Sequence, residues 1–427
     1  MLNPVSAANG VGRVAVVLAG GGARGAYEVG ALRYIVEEVS RQLGREVPLQ
    51  ILCGTSVGAI NACFLAAVAD GPRTRVRWLA ERWRALEIEH ILRLDPIELV
   101  ALGRELIGAR PKPVFGRVPR GGILNPAGLV KVLADAIPFE RIDGHIRSGK
   151  LLAASVSTTH VSSGRTVVFV QHHDDLTPRW GSHPTMDRRH CELRLDHALA
   201  SAAIPFVFPA VRINGELYCD GGLRQNIPLS PARRLGADHL IVINPHHVGP
   251  SALDEELSVH SARGQAFLGP AFFLGKTMNA LLLDRLDSDM DRLKRINEIL
   301  AAGSREYGAG FVDSINRQLG LPVGQDGLRS LRTVAVRASE DIGRLCGEFV
   351  RSKRFAKSAK GLTGKALRRL ANAEGIREAD FLSYLLFDGD FAAEMMALGE
   401  ADAKTKNTEL CELFEEVFQQ ESSATTN

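Results

Sequence analysis

The feature that most constrains this chain is a long stretch without a charge, Val47 to Ala69, reading VPLQILCGTSVGAINACFLAAVA. It is long enough to cross a bilayer as a helix. Pro48, Gly54 and Gly58 interrupt that helix, however, and Thr55, Ser56 and Asn61 place polar groups inside it. A strand (PLQILCG), a sharp turn and a buried helix (SVGAINACFLAAVA) account for the stretch without lipid. The helix is stopped by Asp70-Gly71-Pro72. A strand and a helix this apolar must both be covered by other parts of the chain.

The remaining sequence supplies the cover. RVAVVLA (13–19) is a β-branched run that feeds a glycine cluster, and ARGAYEVGALRYIVEEV then has apolar residues at helical spacing, Val29, Leu32, Ile35, Val36 and Val39. LLAASVSTTH, RTVVFV, GELYCDGGL and HLIVINP read as further strands, and LDHALASAAI as a short helix ending before Pro205. Strands alternating with helices predict an α/β chain, three layers α/β/α around a mostly parallel sheet. From about Pro250 long amphipathic helical patterns take over, FLGKTMNALLLDRLDSDMDRLKRINEILAAG and ADFLSYLLFDGDFAAEMMALGEADA, with LRTVAVRA between them as a late strand. The expected organisation is an α/β domain over 11–250 and a mainly helical C-terminal region over 251–418 that packs on or caps it. A disordered tail is expected over 419–427.

Composition narrows the function classes. A net charge of +3 and 6% aromatic residues give neither the basic surface nor the stacking platforms of a nucleic-acid binder. Six cysteines, none in a C-x-x-C pair, are not a disulfide framework. The N-terminal VGRVAVVLAGGG lacks a basic leader and is read as a buried strand, not a signal peptide. The expected location is cytoplasmic, with no transmembrane helix.

Three clusters could carry chemistry. Gly54-Thr55-Ser56-Val57-Gly58 is G-x-S-x-G between a strand and a helix, the setting of a nucleophile elbow; the alternative is a merely tight junction. Gly20-Gly21-Gly22-Ala23-Arg24-Gly25 offers bare backbone N–H groups at a helix start, as a phosphate cradle, an oxyanion hole or a plain glycine turn. No Lys-Ser or Lys-Thr follows to make a Walker loop. The next strand delivers Ser56 where a dinucleotide site needs an acidic residue, which favours the oxyanion hole. Asp220, followed by Gly221-Gly222, ends a strand and projects at the sheet edge; taken alone it reads equally as a turn aspartate.

Together, Gly20-Gly21-Gly22-x-Arg24-Gly25, the Ser56 elbow and Asp220-Gly221-Gly222 resemble the three signature blocks of patatin-like phospholipases. The intervening ASAAIPFVFPAVRINGELYCDGGLRQNIPLSPARRLGADHLIVI is similar to that family throughout. The resemblance covers about Val14 to Pro245. It implies a serine lipid acyl hydrolase of phospholipase A or lysophospholipase type that works through an acyl-enzyme. Ser56 would be the nucleophile, Asp220 its base in a Ser-Asp dyad, and the Gly20–Gly22 backbone the oxyanion hole, with Arg24 helping to hold that loop. No cofactor and no metal is implied, and the partners would be a lipid ester and a membrane surface.

Two competitors remain. His239, His246, His247 and His260 follow Asp220, so a Ser-Asp-His triad is allowed by chain order. A non-enzymatic lipid- or nucleotide-binding module on the same fold would need no intact serine, glycine loop and aspartate. QHHDD (171–175) has metal-like composition, but adjacent ligands on a strand point to opposite faces. Basic residues Arg351, Lys353, Arg354, Lys357, Lys360, Lys365, Arg368 and Arg369, with no acidic residue among them, form a segment suited to anionic headgroups or simply a solvated face.

Overall fold

The computed structural model describes residues 12–68, 71–91, 121–176, 180, 184–247, 286–321, 327–358 and 379–426. Its frame is one sheet. The strands in chain order are β1 (Val14–Leu18), β2 (Ile51–Thr55), β3 (Ala153–His160), β4 (Thr166–His172), β5 (Met186–His190), β6 (Val211–Ile213), β7 (Glu216–Asp220), β8 (His239–Asn244) and β9 (Arg332–Arg337). Their spatial order is β5-β4-β3-β2-β1-β8-β9, with β7 on β3 and β6 on β7. The centre, β3-β2-β1-β8-β9, is parallel throughout, while β4, β6 and β7 introduce the antiparallel pairs.

Alternation along β1 shows why both faces need helices. Val14, Val16 and Leu18 enter one apolar core and Ala15, Val17 and Ala19 the other, all of them fully buried. The first core is filled by the helices Ala26–Tyr34, Val57–Ala67, Pro72–Arg84, Gly389–Thr405 and Asn407–Thr426. The second is covered by Leu229–Arg234 and the long helix Leu286–Tyr307. This is the three-layer α/β/α architecture expected from the sequence.

The described residues from 286 onward do not stand apart from this frame. β9 extends the parallel sheet beside β8, and Gly389–Thr405 packs on Ala26–Tyr34. The expected single helix over 379–403 is two. Asp388 caps the second by accepting from the Asp390 and Phe391 amides at 3.0 and 3.1 Å, so the chain turns at Phe387–Asp388. The expected disordered tail is corrected as well: the last helix continues to Thr426. It is held by Arg45, which lies 4.1 Å over the Phe418 ring and pairs with Glu421 at 2.6 Å. Gln419, Gln420 and Glu421 are good helix formers that extend a helix already anchored by packing. No helix among the described residues is long and apolar enough to cross a membrane.

Candidate active site

The register on β3 explains how two distant motifs meet. β4 occupies one edge of β3 from end to end. The other edge is shared: β2 runs parallel up to Thr55 opposite Ser157, and β7 comes antiparallel from the far side down to Asp220 opposite Thr158. The two strands therefore meet head-on, and the chain must leave the sheet at the junction. Ser56 and Asp220 stand there.

Ser56 makes the turn at a backbone cost. Its φ of 54° and ψ of −124° lie where a residue with a side chain is strained, by about 1–3 kcal/mol. The turn is possible only with bare neighbours. A Cβ on Gly54 would collide with the Gly58 carbonyl, and one on Gly58 with the carbonyls of Leu18 and Ala19. The Ser56 N–H donates to Ser201 Oγ at 2.8 Å, and Ser201 Oγ donates to the Ser157 carbonyl at 2.6 Å, which ties the elbow to β3. The helix Val57–Ala67 starts immediately after, with its N-terminal amides towards the same spot.

Ser56 Oγ donates to Asp220 Oδ2 at 2.6 Å, and Asp220 Oδ1 accepts from the Gly222 N–H at 2.7 Å. Both carboxylate oxygens are thus engaged. Asp220 is 1% exposed and Ser56 4%. Burial pushes the Asp220 carboxyl up to about 7, a shift that the Ser56 and Gly222 hydrogen bonds only partly offset. Gly221 follows because a Cβ there would strike the Ser157 carbonyl.

The glycine loop leaves the end of β1 beside this pair: a Cβ on Gly20 would come 3.1 Å from Ser56 Cβ. The three glycines are not equivalent. The Gly20 N–H is already donated to the Asn226 carbonyl at 3.1 Å, and the Asn226 side chain returns to the Gly20 carbonyl at 3.3 Å. Among the described residues, no acceptor faces the Gly21 and Gly22 amides. Arg24 does not point at Ser56. It turns away and meets Asp380, Ser383 and Tyr384 of the C-terminal region.

The described histidines lie elsewhere. His239 faces Glu416 at 3.6 Å, His247 bonds the Ala338 carbonyl at 3.1 Å, and His246 is half-buried near Arg24 and Asp380, with its pKa lowered to about 4, chiefly by desolvation. None bonds Ser56 or Asp220; His260 lies outside the described residues. At QHHDD, the His172 ring lies 4.6 Å from His190, tilted at 53°, and Gln171 bonds Asp143. No cluster among the described residues has the geometry to hold a metal. Of the basic segment, 359–378 lies outside the described residues, and Arg354 is paired with Asp390 and Glu394.

Ser201, Asn226, Asp380 and Ser383 were not singled out in the sequence. Ser201 and Asn226 sit inside text that resembles the family, but neither type announces a role by itself.

A strained serine on a strand-to-helix elbow, a buried aspartate and a glycine loop meet on the same sheet edge, the arrangement of the patatin-like class. The patatin-like phospholipase family model matches residues 16–233, about half of the chain, and the chain belongs to that family. A curated relative is the cGAMP-activated phospholipase of Pseudomonas aeruginosa (strain BWHPSA011 / Pa011), 29% identical over 215 residues. That match covers 50% of this chain and 53% of the relative, so the chain spans about half of the relative's length. Among solved structures, VipD from Legionella pneumophila aligns over 89% of this chain and 91% of its own at 13% identity, with a TM-score of 0.27.

Proposed function

We propose that this chain is a serine lipid acyl hydrolase that cleaves carboxylic esters through an acyl-enzyme on Ser56, with Asp220 as the base. The 2.6 Å contact between Ser56 Oγ and the buried Asp220 carboxylate carries the reading. A serine hydroxyl is a poor nucleophile until a neighbour takes its proton. A carboxylate raised to about 7 accepts that proton far more readily than one in water and remains half ionised at neutral pH.

In the first half-reaction Ser56 Oγ attacks the ester carbonyl carbon and its proton passes to Asp220. The oxyanion is received by the Gly21 and Gly22 amides, with the N-terminus of Val57–Ala67 adding favourable potential. Collapse breaks the ester C–O bond, and the departing alcohol takes the proton from Asp220. Water then repeats the sequence on the acyl-enzyme and releases the acid. The family and the relative's name favour a phospholipid as the ester.

An apolar cavity begins at Val57, the residue after the nucleophile, and is walled by Ile60, Phe64, Leu79, Trp83 and Leu129. It suits the acyl chain. Approach to a membrane surface through the basic segment 351–369 belongs to the same proposal, as does peripheral association.

A fluorophosphonate probe tests the assignment, with fatty acid release from phospholipid vesicles measured in parallel. Labelling and turnover should both vanish in Ser56→Ala and Asp220→Asn. Folded protein without a Ser56-dependent adduct would overturn the proposal.

A further inference from the structure

The glycine loop is held from outside the family-matched segment. Arg24 leaves the loop and is 4% exposed, and its hydrogen-bond and ion-pair partners among the described residues, Asp380 and Ser383, are on the helix Asp380–Leu385, outside residues 16–233. Arg24 Nε donates to Ser383 Oγ at 2.8 Å, Arg24 Nη2 donates to Asp380 Oδ1 at 3.1 Å, and the guanidinium lies 4.1 Å over the Tyr384 ring. Ser383 Oγ in turn donates to the Asp380 carbonyl at 2.6 Å, so the two acceptors are fixed relative to each other. The loop backbone itself presses on this helix: Gly22, at φ +56°, sits where a Cβ would collide with the Tyr384 carbonyl.

A guanidinium taken out of water needs its counter-charge and its hydrogen bonds at fixed positions. Gly21 and Gly22 lie within three residues of Arg24. At its other end the loop is held at Gly20, which bonds Asn226 in both directions, and a Cβ on Gly21 would meet the Pro245 ring at 3.0 Å. An oxyanion donor must be held to within about 0.5 Å to act, so Gly21 and Gly22 need both anchors, Asn226 on one side and Arg24 on the other.

We propose that Asp380 and Ser383 are positioning residues for the reaction, and that they aim the Gly21 and Gly22 amides by gripping Arg24. The C-terminal region thereby completes the oxyanion site, and a shift of the helix Asp380–Leu385 disarms the enzyme without touching Ser56 or Asp220. This rests on the hydrolase reading above.

The test uses the full chain with Ser383→Ala, Asp380→Asn and Ser56→Ala. Ser383→Ala deletes one hydrogen-bond acceptor from Arg24 and keeps the ion pair; it is expected to fold and to lower kcat about tenfold with KM little changed. Asp380→Asn should lower kcat further, towards the ~100-fold loss of a missing oxyanion donor. Inhibition by a trifluoromethyl ketone, which forms a tetrahedral oxyanion on the serine, should weaken in proportion to kcat/KM across the variants. A merely structural role would lower the melting temperature but leave that proportionality absent. Ser383→Ala with native melting and undiminished kcat overturns the inference, as does a fall in kcat with undiminished ketone binding. Retained turnover in Ser56→Ala would instead overturn the hydrolase reading.

Discussion

Asp220→Asn should make the protein more stable while destroying its activity, and the stability gain should depend on pH in a defined way. In the folded chain the carboxyl is buried and its pKa is about 7, against 3.8 in an unfolded chain. The folded state therefore holds the proton more tightly. Relative to a side chain that never ionises, wild-type stability is intact below about pH 3.8 and is lost as pH rises to about 7. A displacement of this size corresponds to about 4 kcal/mol, at 1.4 kcal/mol per tenfold. Asparagine keeps an oxygen for the Gly222 N–H and an amide that can face Ser56 Oγ, so the local contacts persist. Denaturation of wild type and variant should be followed from pH 4 to pH 8; titration of every other group cancels in the difference. That difference should grow by about 4 kcal/mol across the series in favour of the variant. In parallel, wild-type kcat/KM should rise with pH along a single limb of midpoint about 7. A stability difference independent of pH would refute the desolvation argument. A kcat/KM limb near pH 4 would refute Asp220 as the raised base.

Other perturbations follow from the same contacts. Glu28 is wholly buried with its pKa well above the usual carboxylate range, mainly through burial, and accepts from Asn61 Nδ2 at 2.8 Å. Glu28→Gln should gain on wild type as pH rises above about 4.5; a constant difference in urea titrations at pH 4 and pH 8 would contradict this. Gly22→Ala forces a side chain into the left-handed region and against the Tyr384 carbonyl, so melting temperature and fluorophosphonate labelling should both fall; unchanged labelling would show that the loop tolerates the shift. Ser201→Ala leaves the Ser56 N–H and the Ser157 carbonyl without their buried partner, at a cost of about 1–3 kcal/mol. It should lower kcat more than KM, and kinetics on a soluble ester would check it.

How much of this was legible depends on how local each signal is. β1, β2 and β8 are continuous apolar runs because both faces of the sheet are covered, and their residues announce that directly. The elbow is equally plain, since bare positions at Gly54 and Gly58, two residues either side of Ser56, are a steric requirement of one turn. β5, reading MDRRH, was missed: it is an edge strand with mostly half-exposed or exposed side chains and carries no apolar alternation. The helix break at Asp388 was hidden by apolar spacing that continues across it. The Arg24 grip joins residues more than 350 positions apart, and no local pattern in either segment names the other.

The costs in this fold are concentrated at one sheet edge. Ser56 holds a strained backbone, Asp220 a carboxyl displaced from its ordinary ionisation, and Arg24 with Asp380 a buried ion pair. Each is destabilising or at best neutral on its own. They persist because the surrounding apolar layers over-determine the positions of the elements that carry them: β1, β2 and β8 are fully buried, and β3 nearly so. Relieving any one of them should therefore raise stability or leave it unchanged only where the replacement keeps the local hydrogen bonds, as Asp220→Asn does. Ser201→Ala and Gly22→Ala, which remove partners or space, should lower it. That opposition in sign, measured in one protein under one set of conditions, separates groups placed there for chemistry from groups that merely fill the junction.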